Sequence, residues 1–135
     1  MTEPKNGQAH TKTAALFELL SQPARIQILL ITREQPACVC HLVAALGLRQ
    51  ASISQHLMIL RKAGWVTTRR ESRNIYYSLA DDRLSGLIGQ AAEMCGIKDE
   101  DLLAITRRPL ADCPCPQCHP ELPPEYSCKS LPKKS

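Results

Sequence analysis

Aromatic side chains are scarce in this chain: one Trp, one Phe and three Tyr make up 4% of 135 residues. A core must therefore be filled with Leu, Ile, Val and Ala, which suits packed helices better than a β-sandwich. Long apolar runs are missing too. No stretch approaches the ~18 residues that cross a bilayer. The polar N-terminal segment lacks the apolar stretch of a signal peptide. Both absences point to a cytoplasmic protein with no membrane partner. No phosphate-cradling glycine loop, nucleophile–His–acid arrangement or cofactor motif can be placed, so an enzyme is not expected. Internal repeats are absent as well.

What is there narrows the field further. Apolar residues at 44% of 135 fit one packed domain with possible tails. The net charge of +4 is mild, but its distribution is not uniform. Between positions 49 and 73 stand Arg49, Arg61, Lys62, Arg69, Arg70 and Arg73 against one acid, Glu71. Seven cysteines, an odd number, favour metal or redox chemistry over structural disulfides in a reducing compartment.

Along the chain, residues 1–8 read as a disordered arm, 9–106 as a folded domain and 107–135 as a tail. Apolar spacing predicts helices over 9–20, 23–33, 39–46 and 50–63, with Pro23 at a first helical position and Gly47 and Gly64 as stops. Two β-prone runs, 65–68 and 75–79, flank a charged hairpin tip over 69–74. A further helix begins near Asp81-Asp82 and carries Leu84, Leu87, Ile88, Ala91, Ala92 and Cys95 as a stripe. Core or dimer packing is the expected role of Cys95. A short helix is expected over 99–105. From Pro109 onward fall seven of the ten prolines and four of the seven cysteines, marking an extended tail without its own core. The expected class is mainly α with a β-hairpin wing: a winged helix-turn-helix followed by an extended Cys/Pro-rich C-terminal tail.

A short helix, a Gly-containing turn and a second helix opening on small polar residues follow helix-turn-helix grammar. The second helix begins Gln50-Ala51-Ser52-Ile53-Ser54-Gln55-His56. Residues at that end face base edges in the major groove, where Gln50, Ser52 and Gln55 can donate and accept hydrogen bonds. Arg61 and Lys62 lie toward backbone phosphates, and Arg49 is a further candidate DNA contact. Arg69, Arg70 and Arg73 form a wing that reaches a flanking minor groove or phosphates. Ser54 and His56 have two readings, contact with DNA or a hydrogen bond within the fold.

Cys38 and Cys40 stand one residue apart, immediately before this unit. Residues i and i+2 of a regular helix are about 200° apart and cannot converge. At a helix start, however, Cys38 can be non-helical and fold back beside Cys40. The free N–H groups and positive dipole there favour thiolates. Strain at that turn would pass to the adjacent recognition helix. The plainer alternative makes one of these cysteines an ordinary buried residue.

Ser52-Ile53-Ser54-Gln55-His56-Leu57 with Leu60, Gly64, Trp65-Val66 and the basic hairpin ending in Tyr76-Tyr77-Ser78-Leu79 resembles the ArsR/SmtB family of metal-responsive repressors. Cys38-Val39-Cys40-His41-Leu42 resembles that family's metal box. The resemblance covers about residues 12–95. It implies a homodimer that binds double-stranded operator DNA at an inverted repeat and releases it when metal binds. The dimer would be formed by helices around Ala14–Leu20 and Leu84–Ala92.

The resemblance also marks departures. Arsenite sensors of the family often carry a third Cys three residues after the pair, where this chain has Val43. His41 replaces a common acidic residue. The family's zinc site on the last helix uses Asp and His. Here Asp81 and Asp82 have no His partner, so that site is not expected.

A third sulfur can come from the tail, where Cys113, Cys115 and Cys118 repeat a C-x-C-x2-C spacing stretched by Pro114 and Pro116. The tail either delivers a sulfur to Cys38 and Cys40, from the same or the other subunit, or forms a separate site. His119 and Cys128 could add to either. Three thiolates suit As(III) or Sb(III), the favoured inducers, and four suit Cd(II), Pb(II) or Zn(II). Two rivals stand beside this reading. One is a persulfide- or redox-sensing repressor pairing Cys38 or Cys40 with Cys95. The other is a thiolate-rich metal buffer, which sequence-independent DNA binding would favour.

Overall fold

The computed structural model describes residues 6–108, Leu110 and Cys118. The first helix, α1 (Asn6–Leu20), starts earlier than its apolar pattern suggests, so residues 6–8 are helical rather than part of an arm. Its first turns are held by hydroxyls that donate back to carbonyls: Thr11 to Gly7 at 2.7 Å and Thr13 to Ala9 at 2.8 Å. Ser21 closes α1 by donating to the Glu18 carbonyl at 2.6 Å. Pro23 then opens α2 (Pro23–Glu34), where a missing N–H costs nothing.

Four successive side chains of α2, Ile28 to Ile31, are buried. A helix buried on every side is the hub of its domain. Indeed α2 touches α1 and each of the elements that follow: α3 (Val39–Leu46), α4 (Gln50–Lys62), β2 (Asn74–Leu79) and α5 (Arg83–Met94). Helix α3 ends at Gly47, whose left-handed φ of 69° lets its N–H reach the Val43 carbonyl at 2.9 Å. Three residues later α4 begins. Its buried face is Ile53, Leu57 and Leu60, the spacing expected from sequence.

The wing pairs β1 (Val66–Glu71) antiparallel with β2. Glu71 faces Asn74, so the tip is only Ser72-Arg73 and Ser72 takes a φ of 58°. The expected six-residue tip is thus corrected: Arg69, Arg70 and Glu71 belong to β1. Their strand character comes from across the hairpin, where Tyr76 and Ile75 face Arg69 and Arg70. An Arg69–Glu71 ion pair at 3.2 Å runs along one face. Both faces of β2 are covered. Tyr77 and Leu79 pack on the main core, while Tyr76 is buried in a second, small cluster.

Asp81 accepts the Arg83 N–H at 3.0 Å, a local turn that leads into α5. The α5 stripe buries only Leu84 and Ile88. Ala91 is exposed, and Cys95 is exposed at the C-cap, so core packing of Cys95 within a protomer is corrected. A short α6 (Asp99–Leu102) continues into a 3-10 turn, Leu103–Thr106, that packs back on α2. Among the described residues no single helix is long and apolar enough to cross a membrane.

Candidate DNA-binding face and sulfur cluster

Helix α4 presents its N-terminus to solvent. Arg49 precedes it in an extended conformation, φ −66° and ψ 149°. Gln50, Ser54 and Gln55 are exposed and Ser52 is half-buried. The first-turn N–H groups and these side chains form one polar, electropositive end suited to phosphate and base edges. Arg61 and Lys62 are exposed at the other end of α4, where they complement the helix dipole. An open groove between α4 and the base of the wing is lined by Ser54, Leu57, Met58, Arg61, Lys62 and Tyr77.

His56 is used within the fold. Arg25 Nε donates to His56 Nδ1 at 3.2 Å, which requires that nitrogen to be unprotonated. Burial, and then the Arg25 charge, push the His56 imidazole below its ordinary range. On the wing, Arg69, Arg70 and Arg73 are all exposed, and Arg69 forms a surface ion pair with Glu71.

The second locus is the start of α3. Cys38 is its N-cap, extended at φ −87° and ψ 168°, and only 2% exposed. It is non-helical, as the fold-back of a Cys-x-Cys pair requires. Cys40 is half-buried. Cys118, 4% exposed, packs in the same cluster with Cys38 and Tyr76, flanked by Cys40, Ala44 and Leu110. Its sulfur lies 3.2 Å from His41 Nδ1 and accepts the Leu110 N–H at 3.3 Å. With the ring proton on Nδ1, His41 donates to that sulfur. His41 is fully buried, and its Nε2 has no hydrogen-bond partner among the described residues. Arg108 Nη2 donates to the carbonyls of Gln35 and Pro36, each at 3.2 Å, tying the start of the tail to the loop before α3.

One chain therefore brings Cys38, Cys40 and Cys118 together. Cys113, Cys115, His119 and Cys128 lie outside the described residues. Cys95 is exposed and not part of this cluster. Among the described residues, no three His, Cys, Asp or Glu side chains already converge in metal-holding geometry. The donor set itself is soft: thiols with an imidazole and no carboxylate.

Asp81 and Asp82 are engaged elsewhere. Asp81 is held by Arg83 at 2.7 Å and Asp82 by Arg33 at 3.0 Å. The hydrogen bond from the Arg83 side chain, then the one from its backbone, pulls Asp81 down to about 2.

Sequence reading missed His41, Tyr76 and Leu110 as neighbours of the sulfurs. Only His41 carried a signal, its departure from the acidic residue of the metal box.

Residues 22–68 match the model of the bacterial regulatory protein arsR family. The chain is 43% identical over 81 residues to the HTH-type transcriptional repressor SmtB of Mycobacterium tuberculosis, covering 60% of each protein. It thus spans well under two thirds of that relative's length. It is 35% identical over 88 residues to the HTH-type transcriptional regulator NmtR of the same species, covering 65% of this chain and 73% of NmtR. Among solved structures, Mb0332 from Mycobacterium bovis is a homodimeric winged helix-turn-helix DNA-binding domain. It superposes with a TM-score of 0.59 at 26% identity, covering 67% of this chain and 87% of that one. With the helix-turn-helix, the wing and these relatives in agreement, the chain belongs to the arsR family of bacterial regulatory proteins.

Proposed function

We propose that this protein is a homodimeric repressor that binds operator DNA through α4 and the wing, and that a thiophilic ion bound by Cys38, Cys40 and Cys118 releases it. The burial of Cys118 against Cys38, with His41 and Leu110 N–H at its sulfur, carries this reading. A third sulfur from the same chain supplies what the Cys-x-Cys pair lacks. Three thiolates without a carboxylate suit As(III) or Sb(III), with Cd(II), Pb(II) and Zn(II) ranking after them. Cys113 and Cys115 remain candidate further donors.

DNA contacts are assigned to Arg49, Gln50, Ser52, Ser54, Gln55, Arg61, Arg70 and Arg73. His56 and Arg69 act mainly through Arg25 and Glu71. Dimerisation is supported by exposed apolar side chains on the first helix and at and just past the end of α5, Phe17 at 55%, Met94 at 88% and Ile97 at 45%, and by the homodimeric relative.

The ion binds the low-affinity state of the repressor better, and by linkage operator weakens the ion equally. Fluorescence anisotropy of labelled operator tests this: saturating arsenite should lower affinity about tenfold or more, equivalent to ~1.4 kcal/mol. Unchanged affinity removes ion-driven derepression.

A redox reading is favoured by one observation, the packing of Cys38 and Cys118 in one cluster. Peroxide would take two electrons and two protons from the two thiols, leaving a disulfide and two waters. Intact mass after peroxide treatment shows a loss of two hydrogens if this step occurs, and none if the thiols respond only to ions.

A further inference from the structure

The sulfur cluster is joined directly to the wing, while α3 itself packs on the recognition helix. Ala37, the residue before Cys38, is fully buried and pairs antiparallel with Tyr77 of β2. Its N–H donates to the Tyr77 carbonyl at 3.0 Å, and Tyr77 N–H donates back at 2.8 Å. The segment entering α3 is therefore an extra rung on β2. The neighbouring Tyr76, 4% exposed, is packed with Cys38 and Cys118 themselves. Across the hairpin Tyr76 faces Arg69, Ile75 faces Arg70, and Arg73 stands at the tip. By contrast, the chain from Cys38 to α4 runs through all of α3 and the turn at Gly47.

We propose that Tyr76 is a positioning residue through which occupancy of the sulfur cluster tilts the wing, and that loss of the wing's contacts is how operator affinity falls. This rests on the ion-responsive reading above. Cys38, Tyr76 and Cys118 are each less than 5% exposed, so an ion that draws the sulfurs together must displace a packed neighbour. Close-packed groups transmit such shifts rather than absorbing them. The aromatic ring against the sulfurs belongs to β2. At ~3.3 Å per residue, the tip of the wing is about 13 Å from Tyr77, and a tilt of about 10° moves it ~2 Å. That breaks a hydrogen bond to a phosphate. Arg70 and Arg73 are exposed and make the candidate contacts, since neither is in an ion pair with Glu71, as Arg69 is.

The experiment compares arsenite's effect on operator affinity in the wild-type chain, in Arg70→Ala/Arg73→Ala and in Tyr76→Leu, with amide hydrogen exchange read on the DNA-free proteins. The wing variant should start weaker and lose less than about twofold on adding arsenite, where the wild type loses about tenfold. In the DNA-free wild type, arsenite should speed exchange of the Tyr77 amide and hairpin amides and leave α4 amides unchanged. Tyr76→Leu should still bind arsenite, seen as thiolate–arsenic absorption, but show neither the exchange change nor the full release. If the wing variant loses affinity by the wild-type factor, or if α4 amides respond and hairpin amides do not, the wing route is overturned while the ion-responsive reading stands. If wild-type affinity itself is unmoved by arsenite, both fall.

Discussion

Helices α3 and α4 begin alike and serve opposite ends. Each is preceded by an extended residue, Cys38 or Arg49, and neither of these caps its helix with a side-chain hydrogen bond. Each start therefore leaves first-turn N–H groups and the positive end of a helix dipole. The start of α3 is buried under Tyr76 and Cys118, and the residues placed there are sulfurs. The start of α4 is open, and the residues there are Arg, Gln and Ser. Under the proposed function, one local geometry serves soft ions where it is covered and DNA where it is bare. Burial, not helix chemistry, divides the roles.

The comparison breaks most severely if the shared scaffold is cut. Leu57 joins α4 to the common core and is 1% exposed. Leu57→Ala should cost about 2–5 kcal/mol of stability, read by denaturant unfolding, and weaken both functions together. A loss of DNA binding at unchanged stability would show that Leu57 is not part of a common core.

Cutting only the covered end should separate the functions. Cys38→Ser/Cys40→Ser should keep operator affinity in the absence of ion and lose the roughly 1–3 kcal/mol of ion coupling, measured by anisotropy with and without arsenite. Retained release would place the sensor elsewhere in the chain.

Cutting only the open end should do the reverse. Gln50→Ala should cost about 1–3 kcal/mol for the cognate operator and relax preference at one base position. Arg73→Ala should weaken all sequences alike and reduce the salt slope by about 1. Ion binding to the DNA-free protein should be unchanged in Gln50→Ala.

The least effect concerns pH. His56 is held below its ordinary value of about 6.5 by burial and by Arg25. The unfolded chain therefore takes up this proton first as pH falls. Stability is lost on acidification below that value until the folded form is protonated too. His56→Gln should show a smaller drop in Tm between about pH 7.5 and about pH 5.5 than the wild type. An equal drop would assign the acid sensitivity to other groups.

Much of this was legible in the chain. The bounds of α3 follow from Cys38 and Gly47, and the inward face of α4 from the spacing of Ile53, Leu57 and Leu60. The wing's length was not, because Arg69-Arg70-Glu71 has little strand preference of its own. Its extended form depends on Tyr76 and Ile75 opposite. The α5 stripe misled at Cys95, since apolar period continues past the point where α5 leaves the core. The pairing of Cys118 with His41 spans 77 positions. Spacing within the tail marks Cys113, Cys115 and Cys118 as candidate soft-ion donors. It carries no signal for which of them meets α3.

Arsenic X-ray absorption on the ion-bound protein, wild type against Cys118→Ser, counts the sulfurs around the ion. Three As–S bonds in the wild type and two in the variant, the third position taken by oxygen, are the result expected if Cys118 closes the site begun by Cys38 and Cys40. Three As–S bonds in both would contradict it and give the third position to another thiol.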